Sequence, residues 1–172
     1  MHKVAWIFML TIVSVGLEAY GSVSDADFTR QTAHVVWVFD GDTIVVTLPG
    51  KSGNYEANLM AVDAAGWGED GGSCYALEAA EFLRSLIFDK DIVITWDSAD
   101  KIDRRGRLLV YAEIDGKDVN ADVIRRGNAW VPRKYPADKK AEYIEIERVA
   151  RESKIGLWET CPERYLKHRP PM

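Results

Sequence analysis

Two short runs dominated by valine, Ala33 to Val38 and Thr43 to Leu48, flank an Asp40-Gly41 pair. β-Branched side chains fit an extended, half-buried backbone, and Asp-Gly between two such runs signals a tight turn. The pattern predicts a β-hairpin and commits the rest of the chain to packing against a sheet. Asn54 to Val62 reads as a weaker third strand, and the glycine-rich stretch Ala64 to Ser73 as a loop. Ser73 stands where it can cap a helix in which Tyr75, Ala79, Phe82 or Leu83, and Leu86 recur at helical spacing.

Further on, Asp91 to Trp96 and Leu108 to Ile114 read as strands on either side of the charged turn Asp103-Arg104-Arg105-Gly106-Arg107. Asp115-Gly116 is another turn, and Val119 to Arg126 a short helix closed by Gly127. A last helix is expected from about Ala137 to Ser153, with Glu147–Arg151 and Arg148–Glu152 at i,i+4 and Gly156 just past its end. Five strands with about three helices inserted and appended indicate an α+β fold, and a small Greek-key barrel accommodates that order. Trp37, Trp96 and Trp158 are expected to fill the core.

A length of 172 residues suits one domain of ordinary size. With 47% hydrophobic and 28% charged residues the chain is neither disordered throughout nor collagen-like. Its net charge of −5 excludes a protein that coats nucleic acid by overall charge. That sum hides an asymmetry. Residues 22–100 carry 14 acids against 4 bases, whereas residues 101–140 carry 11 bases against 6 acids. Arg104, Arg105, Arg107, Arg125, Arg126, Arg133, Lys134, Lys139 and Lys140 fall in the second segment, with Trp130 and Tyr135 between them. Such a segment either binds a polyanion and stacks on its bases or is a solvated face paired with its own acids.

The first residues read as an address. His2 and Lys3 precede an uncharged run from Val4 to Leu17, and Ala19-Tyr20-Gly21 supplies small residues at the cleavage positions. The run is shorter than the roughly 20 residues a spanning helix needs, so residues 1–21 are expected to be a signal peptide. A linker over 22–32, a folded domain over 33–161 and a loose tail over 162–172, with Pro162, Pro170 and Pro171, complete the expected organisation. The mature protein is expected to be secreted or periplasmic, off the membrane and monomeric. Two cysteines in an exported domain, here Cys74 and Cys161, most often pair. Two free thiols and a metal site are the alternatives, although zinc would lack a third cysteine or a nearby histidine. His34 and His168 have no partners that suggest acyl-transfer chemistry.

Five blocks then match a known pattern in order. Val38-Phe39-Asp40-Gly41-Asp42-Thr43-Ile44 resembles the opening strand–turn–strand of the staphylococcal nuclease family. Leu59-Met60-Ala61-Val62-Asp63, Asp103-Arg104-Arg105-Gly106-Arg107-Leu108, Gly116-Lys117-Asp118-Val119-Asn120 and Gly156-Leu157-Trp158 resemble its later blocks. The resemblance covers about residues 33–161. It implies a five-stranded OB-type barrel with helices and, in active members, calcium-dependent cleavage of DNA and RNA. Exported relatives often carry a cysteine pair like Cys74 and Cys161.

The resemblance also implies a site. Its two metal aspartates fall on Asp42 and Asp63, its metal-binding carbonyl on Ala64, and one arginine on Arg107, with Arg104 and Arg105 in the same turn as candidate phosphate contacts. Hard calcium takes oxygen ligands, and phosphodiester cleavage builds negative charge that cations and arginines stabilise. As plain turn and strand-end acids, Asp42 and Asp63 could instead cap backbone groups. Two family roles are missing here. The first arginine's position holds Asn58, and the glutamate's position, three residues after Asp63, holds Gly66. Between Asp42 and Arg84 the one basic residue is Lys51, whereas Glu69 and Asp70 lie close enough to replace the acid. The expectation is a retained metal or phosphate pocket with weak or lost turnover. The alternative is a non-catalytic module that binds a polyanion or a protein through 101–140; the loss of catalytic residues resembles that in the nuclease-like domains of Tudor–staphylococcal nuclease proteins.

Overall fold

A computed structural model describes residues 28–66 and 74–162. The expected signal peptide, Glu69, Asp70, Ser73, His168 and all but the first residue of the expected tail lie outside the described residues. The hairpin forms from β1 (Gln31–Val38) and β2 (Thr43–Thr47), and β3 (Tyr55–Leu59) adds to it antiparallel. β5 (Asp91–Trp96) pairs with the other edge of β1, and β6 (Leu108–Ile114) pairs with β5, both antiparallel. A parallel pairing of β3 with β6 then closes five strands into a ring. Closure leaves neither β3 nor β6 as an open edge against the other, which protects against strand addition. The result is the α+β fold that the sequence pattern indicated and the five-stranded OB-type barrel that the resemblance implied.

Three further strands are two residues long: β4 (Asp63–Ala64), β7 (Lys117–Asp118) and β8 (Ala129–Trp130). β7 extends the main sheet from β6, and β4 pairs with β8 outside the barrel. Inside, Val35, Ile44, Val46, Ala57, Ile92, Ile94, Leu108 and Val110 are buried. Helix α1 (Ala76–Ile87) turns Ala79, Leu83 and Ile87 towards this core, at the spacing of one helical face. Helix α2 (Val119–Arg125) is capped by the Asp118 carboxylate, which accepts from Ala121 N at 2.9 Å. Helix α3 (Lys140–Glu152) buries Tyr143, Glu147 and Ala150, and a one-turn helix, α4 (Leu157–Thr160), follows it.

The bridge Cys74–Cys161 is formed, with a sequence separation of 87, and it links the residues before α1 to the end of α4. Around it lies a second small cluster of Ala65, Ala76, Trp130 and Leu157. No helix among the described residues is long and apolar enough to cross a membrane.

Three expectations are corrected. Trp37 is 46% exposed rather than in the core. The register of β1 against β2 slips between Val35 and Trp37, so Val36 is an extra residue that reverses the in–out alternation and turns Val38 inward. The helix expected from Ala137 begins at Lys140. The stretch before it is held elsewhere: Asp138 N donates to Asp97 Oδ2 at 2.6 Å, and the Asp138 carboxylate accepts from Ser98 N and Oγ. Tyr75, in a left-handed conformation and making no side-chain cap, occupies the N-cap of α1.

Candidate active site

The turn between β1 and β2 builds one wall. Asp40 Oδ1 accepts from Asp42 N at 3.1 Å and Thr43 N at 2.8 Å, which folds the turn on itself. A Cβ on Gly41 would stand 2.6 Å from Ala79 Cβ and 2.7 Å from Ala64 Cβ. Glycine therefore lets both α1 and β4 close on the turn. That closure buries Asp42.

Both oxygens of Asp42 accept hydrogen bonds. Its Oδ2 accepts from Ala64 N at 2.6 Å, and its Oδ1 lies 2.9 Å from Thr43 Oγ1 and 3.3 Å from Asn58 Nδ2. Thr43 and Asn58 are register partners on β2 and β3, which puts the amide beside the carboxylate. Burial pushes the Asp42 carboxyl up to about 7. The negative charge of Asp40 adds to the rise, and that of Asp63 adds less, against the pull of the Ala64 N–H and the Thr43 hydroxyl. Asp63 sits on β4 opposite Trp130 of β8, whose indole Nε1 donates to its Oδ2 at 2.7 Å.

The opposite wall is the turn between β5 and β6. Gly106, at φ +83°, lets Asp103 and Arg107 face each other, with Asp103 N donating to Arg107 O at 2.9 Å. Arg107 Nε and Nη2 both donate to Asp103 Oδ2 at 2.7 Å, and Asp103 Oδ1 accepts from the backbone N–H groups of Arg105 and Arg107. Burial opposes ionisation of Asp103, yet these donors outweigh it and hold its carboxyl below its usual range. Between the walls lies a cleft of about 710 Å³, lined by Asp42, Asp63, Arg104, Arg105, Arg107 and Tyr135. Asn58 also lines it. The structure thus brings together every side chain that the resemblance placed at the site, and Ala64 joins them through its N–H to Asp42.

Much of the basic segment is spent on the protein itself. Arg125 pairs with Asp122, Arg133 with Glu147 and Lys139 with Asp118, while Lys140 caps the carbonyls of Arg133 and Tyr135. Trp130 is buried, so it is not offered to a base, whereas Tyr135 is 53% exposed. Arg104 and Arg105 remain exposed at the cleft.

Sequence reasoning missed two supports. Buried Asn120 accepts from Ala112 N at 2.9 Å and donates to Met60 O at 3.0 Å and Val110 O at 3.1 Å, fastening α2 to the segment that leads into β4. Asp103 is the other. Its i,i+4 spacing from Arg107 was the signal that could have found it.

Among the described residues no group of three or more His, Cys, Asp or Glu side chains is arranged to hold a metal ion. The donor chemistry nonetheless fits a hard cation: the corner offers the carboxylates of Asp42 and Asp63, oxygen donors of the kind calcium takes.

Comparison with known proteins agrees with the fold. A family described as "Staphylococcal nuclease homologue" matches residues 56–160. A protein of Escherichia coli O157:H7 named "Uncharacterized endonuclease" is 34% identical over 140 residues, covering 78% of this chain and 84% of its own. A "Micrococcal nuclease" of Shigella flexneri is 31% identical over 142 residues, covering 77% of this chain and 75% of its own.

Proposed function

This chain belongs to the staphylococcal nuclease family, and we propose that it is an exported, nucleic-acid-binding member whose calcium-dependent phosphodiester hydrolysis is slow. One observation carries the reading: Asp42, Asp63 and Arg107 line a single cleft, while the amide of Asn58 stands where a second arginine would face the phosphate. Export is supported by the Cys74–Cys161 bridge, which persists in oxidising compartments.

Asp42 and Asp63, with the Ala64 carbonyl, would hold calcium, and water and substrate oxygens would complete its shell. Bound there, calcium would supply Lewis-acid stabilisation of charge on the phosphate. Arg107 adds a fixed positive charge from the opposite wall, aimed by Asp103. Arg104 and Arg105 contact the backbone phosphates on either side, and Tyr135 gives a base an aromatic face. Asn58 cannot neutralise the extra charge of the transition state. Loss of one such stabiliser typically slows a reaction by about 10²–10³.

The test is cleavage of DNA and RNA by the mature protein with calcium. Slow cleavage that disappears in Asp42→Ala and on calcium chelation supports the reading; absent cleavage, or cleavage unchanged in Asp42→Ala, refutes it.

The exposure of Arg104 and Arg105 favours a second reading, a non-catalytic module that binds single-stranded nucleic acid at the same cleft. It expects salt-sensitive binding whose log–log slope falls by about 0.7 for each arginine–phosphate contact removed. Binding unchanged in an Arg104→Ala/Arg105→Ala variant would refute it.

A further inference from the structure

The loss of the family's glutamate at position 66 leaves the attacking water without its expected partner. A Cβ built on Gly66 would stand 3.8 Å from Asp40 Oδ2 and would meet no other described atom within 4 Å, chain neighbours aside. A side chain at 66 would thus begin its path beside a carboxylate that is already there. Asp40 divides its two oxygens. Oδ1 takes both N–H groups of the turn, at 3.1 and 2.8 Å, and among the described residues Oδ2 accepts no hydrogen bond. A turn aspartate needs one oxygen to close its turn; here the second lies 3.8 Å from the point where a side chain at 66 would begin.

We propose that Asp40 is the water-positioning acid of this chain, its Oδ2 substituting for the side chain that Gly66 lacks; the inference rests on the hydrolytic reading above. In the step it serves, the water oxygen bonds to phosphorus and a bridging P–O ester bond breaks. One water proton ends on the departing oxygen, and the other is released to solvent from the new phosphate monoester. Asp40 Oδ2 accepts a hydrogen bond from that water and fixes the direction of its lone pair, with Oδ1 keeping the turn rigid behind it.

The experiment separates this assignment from the rest of the reading by using two backgrounds, wild type and Asn58→Arg. In each, Asp40→Asn, Gly66→Glu and the pair together are assayed on DNA at saturating calcium, with melting temperatures alongside. Asparagine keeps an oxygen for the two N–H groups of the turn, so the fold is retained. Asp40→Asn should lower kcat about 10²-fold with KM within about threefold. Gly66→Glu alone should change little, because its carboxylate meets the charge of Asp40. Added to Asp40→Asn, it should restore kcat at least about tenfold, by re-creating the acid from the other side. Unchanged kcat in Asp40→Asn, or a loss that Gly66→Glu does not relieve, overturns the assignment. If Asn58→Arg cleaves and the wild type does not, native turnover is refuted while Asp40 is still decided in the Asn58→Arg series. No cleavage in Asn58→Arg overturns the assignment, since no acid would then be in place.

Discussion

Arg107 owes its aim to an acid four residues before it. Asp103 Oδ2 receives both Nε and Nη2, so the guanidinium reaches the cleft already oriented. Replacing Asp103 with Asn keeps an acceptor for the turn but removes the charge that fixes Arg107. We expect Asp103→Asn to lower kcat/KM about tenfold, the scale of one misdirected charged contact, while the chain still folds. The same residue sets a pH dependence. Its carboxyl lies below the usual range, so its contribution to stability is complete above the unfolded value of about 4 and is lost as pH falls through its own lower value. Melting curves on the acid side should therefore fall less steeply with pH in Asp103→Asn than in wild type; equal slopes would refute this. At this scale the sequence was partly legible. The five blocks named Asp42, Asp63 and Arg107, three side chains that the structure places on one cleft. The groups that hold them were harder to see, since an amide such as Asn58 or Asn120 acquires its role only when a partner strand brings an acceptor to it.

Elements were legible where their signal is local and obscure where it depends on a neighbour. Strands β5 and β6 span the residues expected for them, Asp91–Trp96 and Leu108–Ile114, because strand propensity is a local signal. Trp37 shows the limit. One inserted residue at Val36 inverts the facing of all that follows in β1, and nothing in the composition of the strand announces a bulge. Gly127 and Gly156 show it again. Each reads as a helix end, yet their conformations serve each other. A Cβ on Gly156 would stand 2.5 Å from both Arg126 O and Gly127 O, and Leu157 N donates to Gly127 O at 2.9 Å. Gly156 also has φ 64° and ψ −125°, a backbone region open to glycine alone. Gly156→Ala should cost about 2–3 kcal/mol in urea denaturation, from strain and displacement of α4 together. A comparable loss is expected of Asn120→Ala, which strands Ala112 N–H and the Met60 carbonyl in the core and leaves Val110 O with the Met60 N–H at 2.8 Å. A change under about 0.5 kcal/mol in either variant would show that the contact is dispensable.

On the scale of the whole molecule, the cleft draws Asp42 and Asp63 from the acidic half, and Arg104, Arg105 and Arg107, with Asp103, from the basic segment. The barrel's parallel β3–β6 closure is what sets them face to face, because it brings Asn58 and Leu109 into register between the two turns. No run of residues could announce that closure. The disulfide extends the same logic. It closes 87 positions, for which chain entropy alone gives about 4–5 kcal/mol as an upper figure. It also belongs to the small cluster containing Trp130, and Trp130 Nε1 holds Asp63 Oδ2 at 2.7 Å. Removing the bridge should therefore do two things. Cys74→Ala/Cys161→Ala should lower the melting temperature. On the proposed function, it should also shrink the further rise expected with saturating calcium, because a less fixed Asp63 would bind calcium more weakly, and ligand stabilisation scales with the logarithm of affinity. Thermal melts of both proteins with calcium and with chelator give the two quantities separately. A lower melting temperature with an undiminished calcium increment would confine the bridge to stability and show that Trp130 holds Asp63 without its help.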